Sequence, residues 1–193
     1  WSSDVCSSDL LYTGTLCALA IRKKMLSLEI LRVDRIDTAD LAFSGKMGIT
    51  ILPGRKDKMR DLEKDLSTLK SEGYTHILSL ITPPELEEYG VEDLYTRYKE
   101  HGFDCMVFPI LDQQAANPAQ AQEIFDWMEK VLKDGENLMI HCAGGLGRSG
   151  MMAAGFLKKR GGLTPEKAIE RVRRARTQRA LETQEQVKFV HLV

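Results

Sequence analysis

Apolar residues in this chain follow two kinds of spacing. Short apolar runs bounded by glycine, proline or asparagine predict β-strands, whereas apolar residues that recur every three to four positions predict amphipathic helices. Strands are predicted at residues 48–52, 74–81, 103–110 and 137–141. Helices are predicted at residues 57–73, at 85–102 with an interruption at Gly90, at 117–133, at 151–159 and after a cap at Thr164.

Strands that alternate with helices predict an α/β fold, with a central, mostly parallel sheet flanked by helices on both faces. In such a sheet the chemistry lies at the carboxyl ends of the strands. The chain has 193 residues, of which 43% are hydrophobic, and this is enough for one sizeable core. We therefore expect residues 25–193 to form a single domain.

The first 24 residues do not share this pattern. A Ser-Ser-Asp unit occurs twice, and the apolar stretch at residues 10–21 is shorter than the ~20 residues that span a bilayer. Basic residues follow this stretch, which is the reverse of the order in a secretory signal. We expect residues 1–24 to be a disordered leader or a non-native segment, the fold to begin between Met25 and Met47, and no membrane to be a partner.

Charge and cysteine content narrow the class of function. A net charge of -1 with 28% charged residues gives no general attraction to nucleic acid or to an anionic membrane. The four cysteines form no Cys-x-x-Cys pair and show no metal-ligand spacing with the four histidines. We therefore expect no metal, no cofactor and a reduced, cytoplasmic location.

The residues most informative about function are 140–150, Ile-His-Cys-Ala-Gly-Gly-Leu-Gly-Arg-Ser-Gly. They link a predicted strand to a predicted helix, and glycine lets successive N–H groups turn inward because it adopts positive φ without steric cost. Such amides, at the positive end of a helix dipole, bind a phosphate-sized anion, and an arginine fork adds two donors. The residues predicted to bind phosphate are Ala143, Gly144, Gly145, Leu146, Gly147 and Arg148.

Cys142 lies at the base of this predicted anion site. The amides, the dipole and the guanidinium that attract phosphate also favour the thiolate form of a cysteine. A thiolate that faces a bound phosphoryl group is a nucleophile in place. Ser149 is predicted to hydrogen-bond the sulfur and to make it a better leaving group.

Cleavage of a phosphoester also needs an acid, because the leaving oxygen must receive a proton from a group opposite the thiolate. Asp112 fits this role, since it follows the predicted strand at 103–110 and opens a flexible stretch at 113–117. Asp104 and Asp126 are less suitable, because one begins a strand and the other lies within a helix.

The motif His-Cys-x5-Arg-Ser resembles the signature of the protein tyrosine phosphatase superfamily. The fuller run His-Cys-x-Gly-Gly-Leu-Gly-Arg-Ser resembles the kinase-associated phosphatase, or cyclin-dependent kinase inhibitor three, group of dual-specificity phosphatases. The Pro-Ile-x-Asp run that ends at Asp112 is similar to the same group. The resemblance implies a phosphatase-like fold in which Cys142 forms a phosphocysteine intermediate and Arg148 binds the phosphate.

The similarity extends over residues 47–193. The further segments that resemble this group, in the same order, are Leu52-Pro53-Gly54-x-Lys56, Glu85-Leu86-x-x-Tyr89-x-Val91 and Thr183-x-x-Gln186-x-x-Phe189. On this basis His141 and Gln186 are expected to support the site. Where tyrosine-specific relatives carry a glutamine that positions the hydrolytic water, this chain has Glu182.

The substrate range follows from the segment at residues 52–56, which runs directly into a predicted helix. Without a long aromatic-bearing loop the pocket should be shallow and admit phosphothreonine and phosphoserine as well as phosphotyrosine. The basic residues predicted on the exposed side of a later helix are Arg171, Arg173, Arg174 and Arg176. They form either an ordinary solvated face or a surface that steers a phosphorylated substrate.

The sequence therefore predicts a protein phosphatase whose partner is a phosphorylated protein, with a kinase as one possibility. Two alternatives stay open. The first is a module that binds a phosphorylated kinase and for which turnover is secondary. The second is a phosphatase of a non-protein phosphoester, such as a phosphoinositide or an RNA 5′ phosphate. The presence of Asp112 and Ser149 argues against a sulfurtransferase or an arsenate reductase.

Overall fold

The computed structural model describes residues 30–193, which form an α/β fold around a five-stranded sheet. The strands are β1 (Asp34–Ile36), β2 (Met47–Thr50), β3 (His76–Ser79), β4 (Asp104–Val107) and β5 (Leu138–His141). Their order is β1-β2-β5-β3-β4; β1 pairs antiparallel with β2, and the other neighbours are parallel. The prediction of a mostly parallel sheet is confirmed.

Seven α-helices accompany the sheet in this part of the chain. They are α1 (Leu62–Ser71), α2 (Pro83–Glu88), α3 (Leu94–Glu100), α4 (Pro118–Lys133), α5 (Gly147–Lys159), α6 (Pro165–Ala175) and α7 (Gln184–Leu192). Parallel strands need such crossover connections, which bring the carboxyl ends of β2, β3, β4 and β5 to one edge. Because β5 lies between β2 and β3, the loop after β5 is central at that edge.

Two hydrophobic cores lie on opposite faces of the sheet. In β3, Ile77 belongs to one core and Leu78 to the other, and in β5 Met139 and Ile140 divide in the same way. This division is expected because successive side chains of a strand point to opposite faces. The core with Ile77 includes residues of α1 and α3, and the core with Leu78 includes residues of α4, α5, α6 and α7. The prediction of helices on both faces is confirmed.

The edge strand β1 is not predicted by the hydrophobic pattern. It has three residues, Asp-Arg-Ile, and only Ile36 among them is buried. A strand this short gives no readable alternation, and its pairing with β2 is a tertiary contact. It lies within the window in which the fold was expected to begin.

Two predicted helices differ from the observed ones. The helix expected at 57–73 begins at Leu62, because the Asp61 side chain accepts a hydrogen bond from the Lys64 N–H and caps α1. A 3-10 turn at Lys56–Lys58 precedes it. The helix expected at 85–102 consists of α2 and α3, which are separated at Gly90, where φ is 64°.

The predicted helix at 117–133 is confirmed, since Asn117 caps α4 by accepting hydrogen bonds from the next turn. In contrast, α5 begins four residues earlier than the predicted residue 151, at Gly147. Arg148 and Ser149 therefore lie in the first helical turn, where free N–H groups and the helix dipole favour an anion.

None of the helices in residues 30–193 is long and apolar enough to cross a membrane. The leader predicted at residues 1–24 lies outside the described residues, and its character stays a prediction.

Candidate active site

The phosphate loop, residues 142–148, joins β5 to α5 at the carboxyl edge of the sheet. Cys142 follows β5 directly and is only 3% exposed. The backbone N–H of Gly145 donates a hydrogen bond to the Cys142 sulfur over 3.2 Å. The strand, the anion loop and the helix start thus lie in the predicted order, with the cysteine at the base of the loop.

Gly145 allows the phosphate loop to lie directly against β2. Its φ is 63°, a left-handed value that glycine adopts without strain. A Cβ at this position would lie 2.3 Å from the carbonyl oxygen of Thr50, so a larger residue has no room. The Leu52 N–H donates to the Ala143 carbonyl over 3.1 Å and fixes the loop to the segment that follows β2.

The Arg148 side chain is 1% exposed and is held from several directions. Its Nη1 and Nη2 donate to the two carboxylate oxygens of Glu85 over 2.8 and 2.7 Å, and Nη1 also donates to the Ile110 carbonyl over 2.9 Å. Within residues 30–193, the buried Nε has no hydrogen-bond partner. Burial lowers the pKa of Arg148, but the Glu85 hydrogen bond and the charge of Cys142 outweigh it and raise that pKa overall. One donor of a permanently charged group is thus left for a ligand.

Glu85, which orients Arg148, was not predicted as a site residue. It occupies the first turn of α2 and accepts hydrogen bonds from the N–H and hydroxyl of Thr82 over 2.9 and 2.7 Å. Burial raises its pKa, but the hydrogen bonds from Arg148 and Thr82 outweigh burial and hold the pKa below its usual value. The Thr-Pro-Pro-Glu sequence indicates a capping box, but not that its carboxylate also binds an arginine.

Asp112 lies in the acid loop, which we define as residues 110–117 between β4 and α4. One carboxylate oxygen is 3.1 Å from Nη2 of Arg148, although the Asp112 side chain is 63% exposed. The structure therefore brings Asp112 to the arginine of the phosphate loop from a different loop, as the sequence-based assignment requires.

Gln186 connects the acid loop with α7. It is fully buried, its Oε1 accepts a hydrogen bond from the Glu182 N–H over 2.8 Å, and its Nε2 donates to the Gln114 carbonyl over 3.3 Å. A Cβ on Gly147 would lie 2.9 Å from the Gln186 Nε2 and 2.5 Å from the Glu182 carboxylate. Both side chains therefore lie against the start of α5, and the supporting role of Gln186 stays a prediction.

Ser149 and His141 are both fully buried. The Ser149 hydroxyl has no hydrogen-bond partner in the described part of the chain, so the expected contact with the sulfur is not formed and its role stays a prediction. His141 Nε2 lies 3.0 Å from the Tyr98 hydroxyl. Burial lowers the pKa of His141 to about 3, which keeps the imidazole neutral at neutral pH.

The prediction that Arg176 lies on the exposed side of α6 is wrong. Its side chain is 10% exposed, pairs with Asp34 and donates to carbonyls of the phosphate loop. Arg171 is also turned inward, towards Asp40, whereas Arg174 is exposed. The hydrophobic pattern of α6 identifies its buried stripe but cannot identify carboxylates on another segment.

Arg55 is a further residue of the site, and no contact with the phosphate loop was predicted for it. It is buried, its Nη1 donates to the Ala143 carbonyl over 2.7 Å, and Nε and Nη2 bind Asp57. The Asp57 hydrogen bond raises the pKa of Arg55, and the charge of Cys142 acts in the same direction.

No cluster of three or more His, Cys, Asp or Glu side chains that could hold a metal occurs in residues 30–193.

The sequence of this chain is similar to a family of named proteins. A sequence model of the family described as cyclin-dependent kinase inhibitor 3 matches residues 24–169. The mouse protein named cyclin-dependent kinase inhibitor 3 is 33% identical over 147 residues, which cover 75% of this chain and 70% of that protein. The human protein of the same name is 35% identical over 148 residues, with the same shares covered.

Solved structures agree with the sequence comparisons. A crystal structure of kinase associated phosphatase, with its catalytic-site cysteine substituted by serine, superposes with a TM-score of 0.79 and 32% identity over 83% of this chain and 92% of that one. The structure of Tk-PTP in its active form gives 0.63 and 28% identity over 80% and 95%. The predicted phosphatase-like fold is confirmed, and the chain belongs to the cyclin-dependent kinase inhibitor 3 family.

Proposed function

We propose that this protein is a cysteine-dependent protein phosphatase that works through a phosphocysteine intermediate. The observation that carries the proposal is the pairing of Cys142, buried at the base of a glycine-rich loop, with an Arg148 whose Nε has no partner in residues 30–193. A buried guanidinium donor without a partner is costly unless a ligand satisfies it. A phosphoryl group satisfies it and is brought to the sulfur.

In the proposed first step the Cys142 thiolate attacks the phosphorus of the substrate. A bond forms between sulfur and phosphorus, the bond to the leaving oxygen breaks, and its electron pair stays on that oxygen. Asp112 supplies the proton that neutralises the leaving oxygen. Loop amides and Arg148 stabilise the negative charge on the remaining phosphoryl oxygens.

In the proposed second step a water molecule attacks the phosphocysteine. The water gives a proton to the Asp112 carboxylate, which restores the acid, and the phosphorus–sulfur bond breaks with its electron pair on sulfur. We assign to Ser149 a hydrogen bond to the departing sulfur, because its buried hydroxyl has no partner among the described residues.

Arg148 has the geometry to coordinate these steps. Glu85 holds Nη1 and Nη2 from one side, so the guanidinium plane is fixed before substrate binds. Asp112 contacts Nη2 from the solvent side, where the phosphate must also bind. Phosphate binding then replaces Asp112 at Nη2 and releases the aspartate towards the leaving oxygen.

We further propose that the substrate is a phosphorylated protein carrying phosphotyrosine, phosphothreonine or phosphoserine. Only a short 3-10 turn, Lys56–Lys58, lies between Arg55 and the segment leading to α1, so no long loop deepens the entrance. Membership in a family that includes a kinase associated phosphatase supports a phosphorylated kinase as one such protein. The cytoplasmic location stays a prediction from the cysteine pattern of the sequence.

The first test is phosphate release from a small aryl phosphate by the wild-type protein and by Cys142→Ser. The proposal expects turnover only in the wild type. If both proteins bind a phosphorylated protein but neither releases phosphate, the binding-module alternative is correct and the phosphatase proposal fails.

The substrate class is tested with matched peptides that differ only in the phosphorylated residue, alongside a phosphoinositide and an RNA 5′ phosphate. We expect comparable kcat/KM values for phosphotyrosine and phosphothreonine peptides. A phosphotyrosine preference above about a thousandfold, or some 4 kcal/mol of discrimination, would contradict dual specificity. Higher kcat/KM on either non-protein substrate would contradict the assignment to phosphoproteins.

A further inference from the structure

The outer side of the phosphate loop is held by two arginines. Three consecutive carbonyls, those of Ala143, Gly144 and Gly145, accept hydrogen bonds from side chains outside the loop. Arg55 binds the first over 2.7 Å. Arg176 binds the other two, through Nη2 to Gly144 over 3.2 Å and through Nε to Gly145 over 3.0 Å.

These carbonyl contacts determine where the loop amides point. Because a peptide unit is planar and trans, its carbonyl and its N–H point in opposite directions. Holding the Gly144 carbonyl outward therefore turns the Gly145 N–H inward, and this N–H donates to the Cys142 sulfur over 3.2 Å. Holding the Gly145 carbonyl outward turns the next amide, that of Leu146, inward in the same way.

Arg176 is itself fixed by a carboxylate. Its Nη1 pairs with Asp34 of β1, and the side chains of both residues are 10% exposed. Asp34 is held in register by β1, where it lies opposite Ile49 of β2. The short antiparallel strand thus places a carboxylate behind the arginine that touches the phosphate loop.

We propose that Arg176, oriented by Asp34, is a positioning residue that keeps the amides of the phosphate loop directed at the bound phosphate. The inference rests on the proposed function, because it assumes that the loop binds phosphate. It adds that β1 and the end of α6, which lie outside the loop, set the affinity of the loop for its ligand.

Arg171 provides a matched control on the same helix. It also forms an ion pair with a carboxylate of the N-terminal region, since its Nη1 and Nη2 bind Asp40. Its remaining hydrogen bond goes to the Asp37 carbonyl and not to the phosphate loop. Loss of Arg171 therefore removes an arginine–aspartate ion pair, with a more exposed carboxylate, without touching the loop.

The test measures binding of inorganic phosphate by calorimetry in the Cys142→Ser protein, in which no turnover occurs. Adding Arg176→Met should weaken phosphate binding about tenfold or more, since two hydrogen bonds that orient the amides are lost. Adding Arg171→Met should leave it unchanged. Unfolding by urea is measured for both, so that loss of affinity is compared between proteins that remain folded.

A second variant, Asp34→Asn, removes the negative charge that pairs with Arg176 and leaves Arg55, Arg171 and Arg176 in place. It should weaken phosphate binding in the same direction, and combining it with Arg176→Met should add little further loss. Equal phosphate affinity in the Arg176→Met and Arg171→Met proteins would overturn the inference, as would a full, additive loss in the double variant. Absence of phosphate binding in the Cys142→Ser protein with Arg176 intact would instead contradict the proposed function.

Discussion

The phosphate loop and the acid loop meet at Arg148 but are built differently. In the phosphate loop, Cys142 is 3% exposed and Arg148 is 1% exposed. In the acid loop, the Asp112 side chain is 63% exposed and the neighbouring Leu111 is 68% exposed. The half of the site that binds phosphate is thus packed before a ligand arrives, whereas the half that supplies the proton faces solvent.

The acid loop is anchored by the buried Ile110 and Ala116 near its ends, and few contacts hold the exposed residues 111–114 between them. Arg148 binds the Ile110 carbonyl and Asp112, and Gln186 binds the Gln114 carbonyl. A segment with so few buried contacts opens at lower free energy than a packed core element. We infer that binding is preorganised in the phosphate loop and that the acid loop adjusts to the leaving group, which the following substitutions test.

Among the substitutions considered, Arg148→Lys in the phosphate loop should lower kcat/KM the most. An ammonium cannot reproduce the paired donors of the guanidinium, and Glu85 is left with a poorly matched partner. Since removing one donor to a developing oxyanion costs about 10²–10³ in rate, loss of the fork should lower kcat/KM by at least about 10⁴. The measurement is steady-state turnover of an aryl phosphate. A loss below about tenfold would show that Arg148 does not bind the transferred phosphoryl group.

Asp112→Asn should lower kcat/KM, which reports formation of the phosphocysteine, by about 10²–10⁴ for a substrate with a poor leaving group, which is the usual contribution of a positioned acid. The loss should be much smaller when the leaving group is an activated phenol that needs no proton. The kcat/KM values of a series of aryl phosphates with increasing leaving-group basicity measure this dependence, because kcat/KM does not include breakdown of the intermediate. An equal loss across the series would contradict the role of Asp112 as the acid.

His141→Gln tests the packed half of the site through the pH dependence of the free energy of unfolding. The buried imidazole has a pKa of about 3 in the fold against a usual value of 6.5, so the unfolded chain takes up a proton first as the pH falls. Between these values the contribution of His141 to stability decreases by about 1.4 kcal/mol per unit fall in pH. The free energy of unfolding, measured with urea at pH 7.5 and 5.5, should therefore fall more between these two pH values in the wild type than in the variant. An equal fall in both proteins would contradict a neutral, buried His141.

Gln186→Leu should have the smallest effect. It removes one hydrogen bond to the acid loop and one to the Glu182 N–H, each worth about 0.5–1.5 kcal/mol. We expect kcat to fall about two- to tenfold for poor leaving groups, while phosphate affinity in the Cys142→Ser protein stays unchanged. The control is Gln184→Leu, an exposed position on the same helix. Weaker phosphate binding would show that Gln186 supports the phosphate loop instead.

Local signals in the sequence predict much of the fold. The Asn-Pro pair at residues 117–118 predicts the start of α4 correctly, because the cap is made by residues adjacent in the chain. The start of α1 is predicted too early, since Asp57 is as good a cap as Asp61 by composition alone. The strand β1 has no local signal, because its pairing with β2 decides its structure.

The residues of the candidate site also divide into those that local sequence predicts and those that only tertiary contacts place. The glycine-rich run between a strand and a helix predicts an anion loop around Cys142, because its geometry depends on neighbours in the chain. The contact of Glu85 with Arg148 joins residues far apart in sequence, and no spacing announces it. Arg171 and Arg176 look alike in sequence, and only Asp40 and Asp34 give them different roles.

The most direct test of the account is to trap the phosphocysteine. The Asp112→Asn protein should still form the intermediate from an activated aryl phosphate, and it should break it down slowly because the base for the water is lost. Acid quenching followed by peptide mass analysis should then find one phosphoryl group on Cys142, and none in the protein that also carries Cys142→Ser. A phosphoryl group on another residue, or continued turnover in the Cys142→Ser protein, would contradict the account.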